Sequence, residues 1–422
     1  MLVEFSVENF RSIHMRQTFS MVAAPRLRRK GNTFEPELNG ERFPRLLKVA
    51  AVYGPNASGK SSLVSALALI PRIASHQPDT SDAELPVSPF RFCPNARKKP
   101  SCFEVHFIHE KMRYEFILHL TKERITKEKL VIHPKGKEVV LYERTASENN
   151  KDEYFISPDL EGGEIVIEAW KQLTNPKTLF ISQAVANSNT ELNQLRTPFL
   201  WLQKGVMPIN SRLSRLTPGV LTVLNEVPEI SDELAEYLSD LDIPISKIKQ
   251  EIKEVEVDNA ESYNDDFSRK LDNFEKNHNK TTLTHKTSLG EADFDLKEES
   301  DGTKSLLGFW LPLKIANMKR NITSALVIDE LDSSLHPSII ASIVERHLNS
   351  TDDFQLIFTT HDTHLMDTRL LRRDQLWLTD RDETGATQLR SIHDFAGRES
   401  EDIEKRYFEG KYRGIPFVRK GY

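Results

Sequence analysis

Hydrophobic and polar positions follow three rhythms along this chain, and each predicts a different kind of element. Residues 2–7 alternate apolar and polar, as a strand with one buried face does, and lead into Asn9-Phe10-Arg11-Ser12. Residues 46–53 form an apolar run that reads as a buried parallel strand. Residues 61–70 then carry apolar side chains at helical spacing until Pro71, which is expected to stop the helix. Alternation returns over 101–145, in Cys102-Phe103-Glu104-Val105-His106-Phe107, in Arg113-Tyr114-Glu115-Phe116-Ile117-Leu118 and in Val139-Val140-Leu141-Tyr142. Short polar breaks such as His109-Glu110-Lys111 separate these runs, which predicts an antiparallel meander. A last short run at 165–170 follows the Glu161-Gly162-Gly163 break, and 178–183 reads as a further short strand.

The pattern over 191–241 is helical, with Leu192, Leu195, Phe199 and Leu200 on one face. Residues 258–280 are rich in Asn, Asp and Lys and read as a mobile loop or a polar excursion from the insertion. From 295 onward helical and all-apolar strand segments alternate: helix 305–315, strand 325–328, helix 339–348 and strand 356–358. That is the pattern of a mostly parallel, doubly wound sheet. The expected fold class is α/β: a core of mixed sheet and helices, with an antiparallel β subdomain and a helical insertion. The expected boundaries are 1–180 for the first half of the core with its β-rich subdomain, 181–294 for the insertion, 295–395 for the second half, and 396–422 for a tail.

Composition narrows the picture. Hydrophobic residues make up 38% and charged residues 28%, which fits a globular chain with a polar surface. The net charge of −6 argues against a protein that coats nucleic acid indiscriminately, although Arg26 to Lys30, Arg97-Lys98-Lys99 and the tail group Lys411, Arg413, Arg419 and Lys420 are local basic clusters. Cys93 and Cys102 are too few for a disulfide framework or a cysteine zinc site, so both read as free thiols. No stretch approaches the ~20 apolar residues that span a bilayer, and no export signal is evident at the N-terminus. The expectation is a cytoplasmic protein without a membrane partner.

Chemistry concentrates in five places. Gly54-Pro55-Asn56-Ala57-Ser58-Gly59-Lys60-Ser61 is a complete phosphate-binding loop between a strand and a helix. Its amide groups, with Gly54, Asn56, Ser58, Gly59 and the following Ser62, are expected to wrap the phosphates, Lys60 to reach the outer ones, and Ser61 to hold Mg2+. The strand ending in Asp329-Glu330 places two carboxylates at a sheet edge, Asp329 for the metal and Glu330 to orient and deprotonate the attacking water. Asp332 follows, placed to reach across a dimer. The next strand ends at Thr359-Thr360-His361-Asp362, where the His361 imidazole can donate to a γ-phosphate or its water. Ser300-Asp301-Gly302-Thr303 opens a helix and reads both as an N-cap and as a second phosphate site, one that faces the nucleotide of another subunit. Gln183 is a candidate to couple the metal to the helical insertion.

Taken in order, these segments resemble the ABC-type ATPases: Walker A at Gly54 to Ser61, a Q-loop at Gln183, a signature at Ser300 to Thr303, Walker B ending in Asp329-Glu330, a D-loop at Asp332 and a switch histidine at His361. The resemblance implies ATP and Mg2+ as ligands, Glu330 as the catalytic base with His361 beside it, and Ser300, Gly302 and Thr303 acting on a partner's nucleotide in an ATP-sandwiched homodimer or larger homo-oligomer. Asp301 and Thr303 depart from the usual second Gly and the Gln or Glu of that signature. The opening Glu4-Phe5-Ser6-Val7-Glu8-Asn9-Phe10-Arg11-Ser12 is similar to the SMC/RecF/OLD branch, in which the residue at Arg11 approaches the nucleotide. No long heptad run is present, and about sixty residues follow His361, too few to build a second core such as a Toprim nuclease. With the Asp329 to Pro337 run and the tail Arg406 to Pro416, the chain looks most like the stand-alone RloA/AbiLi-like ATPases of phage-defence operons. That likeness implies an ATP-driven sensor or scaffold for a separate effector, Toprim-type or another nuclease, with nucleic acid or a phage product as trigger. The alternative is a RecF-like, ATP-dependent DNA-binding clamp in repair. Acidic residues Asp374, Asp380, Asp382 and Glu383 read as a hairpin near Gly385 rather than a nuclease centre.

Overall fold

Alternating and unbroken apolar runs each produce their own sheet. The structure, a computed structural model, describes residues 1–422 other than 76–82, 148, 150, 189–191, 210–212, 228, 252–279, 319–321, 353, 400, 413 and 415–422. The polar loop expected over 258–280 therefore lies, up to 279, outside the described residues, as do Arg413, Ile415, Pro416, Arg419 and Lys420. In chain order, β1 (Leu2–Glu8) and β2 (Gln17–Ser20) precede the short β3 (Thr33–Phe34) and β4 (Leu46–Leu47), and β5 (Val49–Tyr53) leads into α1 (Lys60–Ala74). Then come β6 (Ser101–His109), β7 (Met112–Leu120), β8 (Ile125–Ile132), β9 (Val139–Ala146), β10 (Asp152–Ile156), α2 (Glu164–Leu173), α3 (Phe180–Ala186), α4 (Asn193–Lys204) and β11 (Val206–Ile209). Next are α5 (Thr217–Glu226), α6 (Ile230–Ser239), β12 (Ile245–Glu251), β13 (Lys280–Thr287), β14 (Gly290–Asp295) and α7 (Asp301–Ala316). The chain closes with β15 (Ala325–Ile328), α8 (Pro337–Asn349), β16 (Gln355–Thr359), β17 (Leu376–Arg381), β18 (Thr387–Ser391) and α9 (Ile403–Phe408). The fold class is α/β, as the sequence pattern predicts.

The first compact unit comprises Met1–Asn210, Arg320–Asp329 and Val344–Tyr422 and holds both large sheets. One has seven strands in the order β10-β9-β8-β7-β6-β1-β2, every pair antiparallel, and contains the expected meander. Its dry face is set by alternation: Phe103, Val105 and Phe107 on β6 and Tyr114, Phe116 and Leu118 on β7 are buried, while Cys102, Glu104 and His106 are only half-buried. The other sheet has six strands, β11-β15-β16-β5-β17-β18, parallel except for β18. Its central β15, β16 and β5 are buried at every position, because a parallel sheet is covered on both faces. A single apolar core runs through β1, β5, β6, β7 and α1. Within it Trp201 stacks on Phe107 at 3.9 Å, a pairing worth roughly 0.5–1.5 kcal/mol beyond its buried area, and its indole N–H donates to Ser324 Oγ at 3.0 Å.

Two buried polar groups tie this unit together. Gln355, at the foot of β16, accepts from the Leu2 amide at 2.7 Å and donates to the Leu2 carbonyl at 2.9 Å, joining the two sheets. Glu128 on β8 is wholly buried and accepts from the amides of Phe180 at 2.7 Å and Ile181 at 3.1 Å and from the Tyr142 hydroxyl at 2.7 Å. Arg144 lies 3.7 Å from Glu128, pairs with Asp152 at 2.6 Å, and donates to the Thr178 carbonyl. Burial pushes the Glu128 pKa up, against the downward pull of Arg144 and the three hydrogen-bond donors.

Four sequence expectations are corrected. The 46–53 run is two strands, because Leu46 and Leu47 pair antiparallel with β3 while Val49–Tyr53 runs parallel to β16 and β17. Pro71 does not end α1, which continues to Ala74 without the hydrogen bond that proline cannot donate. The 165–170 segment is helical: in α2 only Ile167 and Trp170 are buried, three residues apart on one face, while Ile165 is 87% exposed. Residues 180–186 are also a helix, not the strand expected at 178–183, since Glu128 holds its first two amides.

The second compact unit comprises Ser211–Lys319 and Glu330–Ile343. It contains α5, α6, the antiparallel sheet β12-β13-β14 and α7. Leu306, Leu307, Phe309 and Trp310 of α7 are buried around Gly308, where a Cβ would meet the Leu213 carbonyl oxygen at 1.8 Å. Only glycine allows α7 to come this close to the turn at Leu213–Leu216.

Candidate active site

At the carboxyl end of β5 the chain turns through Gly54 at φ 151° and Gly59 at φ 113° before entering α1. A Cβ on Gly54 would lie 2.3 Å from the Thr379 carbonyl oxygen, and one on Gly59 would lie 2.0 Å from Thr387 Oγ1. The loop is thus a backbone cradle whose glycines are obligatory. Gly59 precedes the helix without any side-chain cap, leaving the helix start open to an outside anion. Lys60 is 6% exposed, and its ammonium donates to the carbonyls of Gly54 at 2.8 Å and Pro55 at 3.3 Å. Ser61 is exposed in the first turn, and Ser62 beside it accepts from Ser12 Oγ at 2.8 Å.

Hydroxyl groups brace this cradle from below. Thr379 Oγ1 donates to the Tyr53 carbonyl at 3.1 Å, so the 2.6 Å contact with Ser58 is one in which Ser58 donates. Thr387 Oγ1 lies 2.9 Å from the Ser58 carbonyl and 2.8 Å from Ser12 Oγ. Arg11, at φ 51°, donates to Ser65 Oγ of α1 at 2.7 Å. Asn9, at φ 54°, fixes the preceding turn by accepting from the Phe90 amide and donating to the carbonyls of Ala96 and Lys99.

Strand register collects the remaining groups of this unit on the same edge. Ile328 pairs with Phe358, Thr359 with Val52, and Tyr53 with Leu378, so Asp329, Thr360-His361 and Gly54 leave neighbouring parallel strands together. Asp329 accepts from the Thr359 hydroxyl at 2.7 Å. His361 is exposed and lines a cleft of about 1000 Å³ with Gly54, Asn56, Ser58, Asp380, Arg381 and Phe408. Gln183 is half-buried on α3 and is not among the residues lining that cleft.

In the second unit, Ser300 caps α7 by accepting from the Thr303 amide at 3.0 Å, and its hydroxyl lies 2.9 Å from Thr303 Oγ1. Gly302 sits so close to the turn after Glu330 that a Cβ would meet the Ser334 carbonyl at 2.9 Å. That turn includes the half-buried Asp332, and it opens on Glu330, which is exposed and held at φ 56°.

The family model described as "AAA domain, putative AbiEii toxin, Type IV TA system" matches residues 49–367. The chain belongs to this AAA domain family. The matched span of the AAA domain runs from the start of β5 past His361. Among solved structures, this AAA protein is similar to an SmcHead bound to the C-winged helix domain of ScpA, at 12% identity and a TM-score of 0.44, covering 92% of this chain and 97% of that one. It is also similar to the SMC head domain from Thermotoga maritima, at 13% identity and a TM-score of 0.41, covering 92% of this chain and 98% of that one. No curated protein sequence matches. Among the described residues, no helix is long and apolar enough to cross a membrane.

Several residues at the AAA site carry no sequence motif. Thr379 and Thr387 brace the cradle from β17 and β18, and Asp380, Arg381 and Phe408 line the cleft. The one available signal was the Leu376-Trp377-Leu378 run, which marks β17 as buried and hence its last residues as edge residues. The acidic group behaves as a hairpin, as expected: Asp382 accepts from the amides of Thr384 at 2.9 Å and Ala386 at 3.0 Å. Asp374 is instead paired with Arg372 at 2.7 Å, and both cysteines are free thiols.

Proposed function

We propose that this AAA domain chain is an ABC-type ATP hydrolase whose site is completed by a second copy, and that it acts as an ATP-driven sensor and scaffold in anti-phage defence, controlling a separate nuclease effector of Toprim or other type. One observation carries the hydrolase reading: three parallel strands in register deliver Asp329, His361 and the glycine cradle to one edge. The defence reading draws its support from the family, whose description names a toxin of a toxin–antitoxin system.

The residues fit a nucleotide with Mg2+. The cradle has no room for any Cβ at Gly54 or Gly59, and an uncapped helix start follows it, as phosphate oxygens require. Ser61 and Asp329 would hold the metal, which when bound neutralises charge on the outer phosphates. Lys60 supplies a positive charge beside the loop carbonyls. Thr359 fixes one Asp329 oxygen and so orients the carboxylate. Glu330 takes the proton of the attacking water, and His361 donates to the terminal phosphate. Ser300, Gly302 and Thr303 at the start of α7 would meet a partner's nucleotide once the Ser300 hydroxyl turns from the Thr303 amide that it caps.

The test is Glu330→Gln. Turnover is expected to fall at least about 100-fold, and the variant to accumulate as ATP-bound dimers or larger assemblies in a sizing experiment with Mg2+. ATP-bound monomer at all concentrations would refute the sandwich. Purification with native partners, followed by mass measurement, tests the effector.

A DNA clamp is the second reading, favoured by a basic cleft lined by Arg91, Arg97, Lys98, Lys99 and Lys122. It requires ATP-dependent duplex binding with a steep salt dependence.

A further inference from the structure

The wet face of the antiparallel sheet carries a cluster the nucleotide chemistry does not use. Glu104 and His106 stand two residues apart on β6 and so share a face, and His106 pairs across the ladder with Glu115 on β7. One ligating atom from each of Glu104, His106 and Glu115 lies within 4.8 Å of the others, and Glu104 Oε1 is 2.8 Å from His106 Nε2. A fourth group arrives from the end of β8. His133 is anchored by its amide to the Arg113 carbonyl, is only 8% exposed, and has its Nε2 3.9 Å from Glu115 Oε2. That Nε2 is buried without a hydrogen-bond partner.

An ion-pair network alone accounts for part of this arrangement. Arg16, 51% exposed, pairs with Glu104 at 2.9 Å, and the His106 contact satisfies the same carboxylate. It leaves the His133 nitrogen unexplained, since a buried polar atom without a hydrogen-bond partner is destabilising. Two carboxylates, Glu104 and Glu115, face the cluster, and Arg16 pairs with only the first of them.

We propose that Glu104, His106, Glu115 and His133 form a binding site for a borderline first-row divalent ion of the Zn2+ class. Two imidazoles and two carboxylates are a donor set that such ions accept in tetrahedral geometry. Bonds of about 2.0–2.1 Å place tetrahedral donors roughly 3.3 Å apart. The Glu104–His106 contact, at 2.8 Å, is tighter than that spacing, and His133, 3.9 Å from Glu115 and outside the 4.8 Å group of the other three, must turn inward to join them. Arg16 holds both Glu104 oxygens, at 2.9 and 3.0 Å, and its half-exposed side chain would release one of them to the ion. The bound ion would pin β6, β7 and the segment after β8 to one another.

Zn2+ and Co2+ titrations of the full-length protein, without nucleotide, decide the matter. The expected result is one Zn2+ per chain in competition with a chromophoric chelator, and a visible Co2+ absorption of tetrahedral intensity. Both His106→Ala and His133→Ala should weaken Zn2+ by more than the roughly 10–100-fold that losing an outer-shell partner costs. Glu115→Gln, close to isosteric, guards against misfolding of the histidine variants and should weaken binding likewise. Cys102→Ser, on the same strand but outside the donor set, should bind as the parent does. The proposal is overturned if the parent takes no Zn2+ from the chelator, if the folded Glu115→Gln protein binds unchanged, or if Cys102→Ser abolishes binding.

Discussion

The two large sheets of the first unit put their chemistry in different places. The parallel sheet is buried along every central strand, and its candidate site lies where the strands stop, at Gly54, Asp329 and His361. The antiparallel sheet is half wet and carries charged groups along its length, among them Glu104, His106 and Glu115. Where both faces of a sheet are covered, polar groups are excluded except at the edges, so one edge becomes the site. Where one face is open, polar groups can sit anywhere on it, and position alone says little about purpose.

The comparison breaks most visibly at Lys60. Lys60→Ala should lower ATP turnover at least about 100-fold while leaving thermal unfolding near that of the parent; equal losses of activity and stability would assign the residue to the fold. The opposite outcome is expected inside the antiparallel sheet. Glu128→Ala strands the Tyr142 hydroxyl and two amides of α3, leaves Arg144 with Asp152 as its remaining carboxylate, and should cost about 3–5 kcal/mol in urea unfolding. A loss under about 1 kcal/mol would mean that water replaces the carboxylate. Thr359→Val sits between these cases. It removes the hydroxyl that orients Asp329, and a roughly 10-fold drop in turnover with little change in stability is expected. Asp382→Ala, at the exposed hairpin, should be mildest: below about 1 kcal/mol in unfolding, since water screens and replaces its contacts.

What could be read from the sequence divides along the same line. The glycine turn at Gly54 to Ser61 was legible because its requirements are local: two glycines, a lysine and a serine at fixed spacing between a strand and a helix. The meander was legible because alternation states which face is dry. The helix at 180–186 was not, because its start is fixed by Glu128, fifty-two positions before Phe180 and part of another strand. The helix at 164–173 was hidden by Ile165 and Val166, β-branched residues that face water. The hydroxyl braces Thr379 and Thr387 were invisible for the same reason as Glu128: each acts on a loop more than three hundred positions away.

Gln355 offers a last consequence. Its amide clasps the backbone of Leu2 at the foot of β16, while the same five-residue strand ends beside His361 at its head. Gln355→Leu removes this clasp, and faster hydrogen exchange at the Leu2 amide with both sheets intact is the expected result.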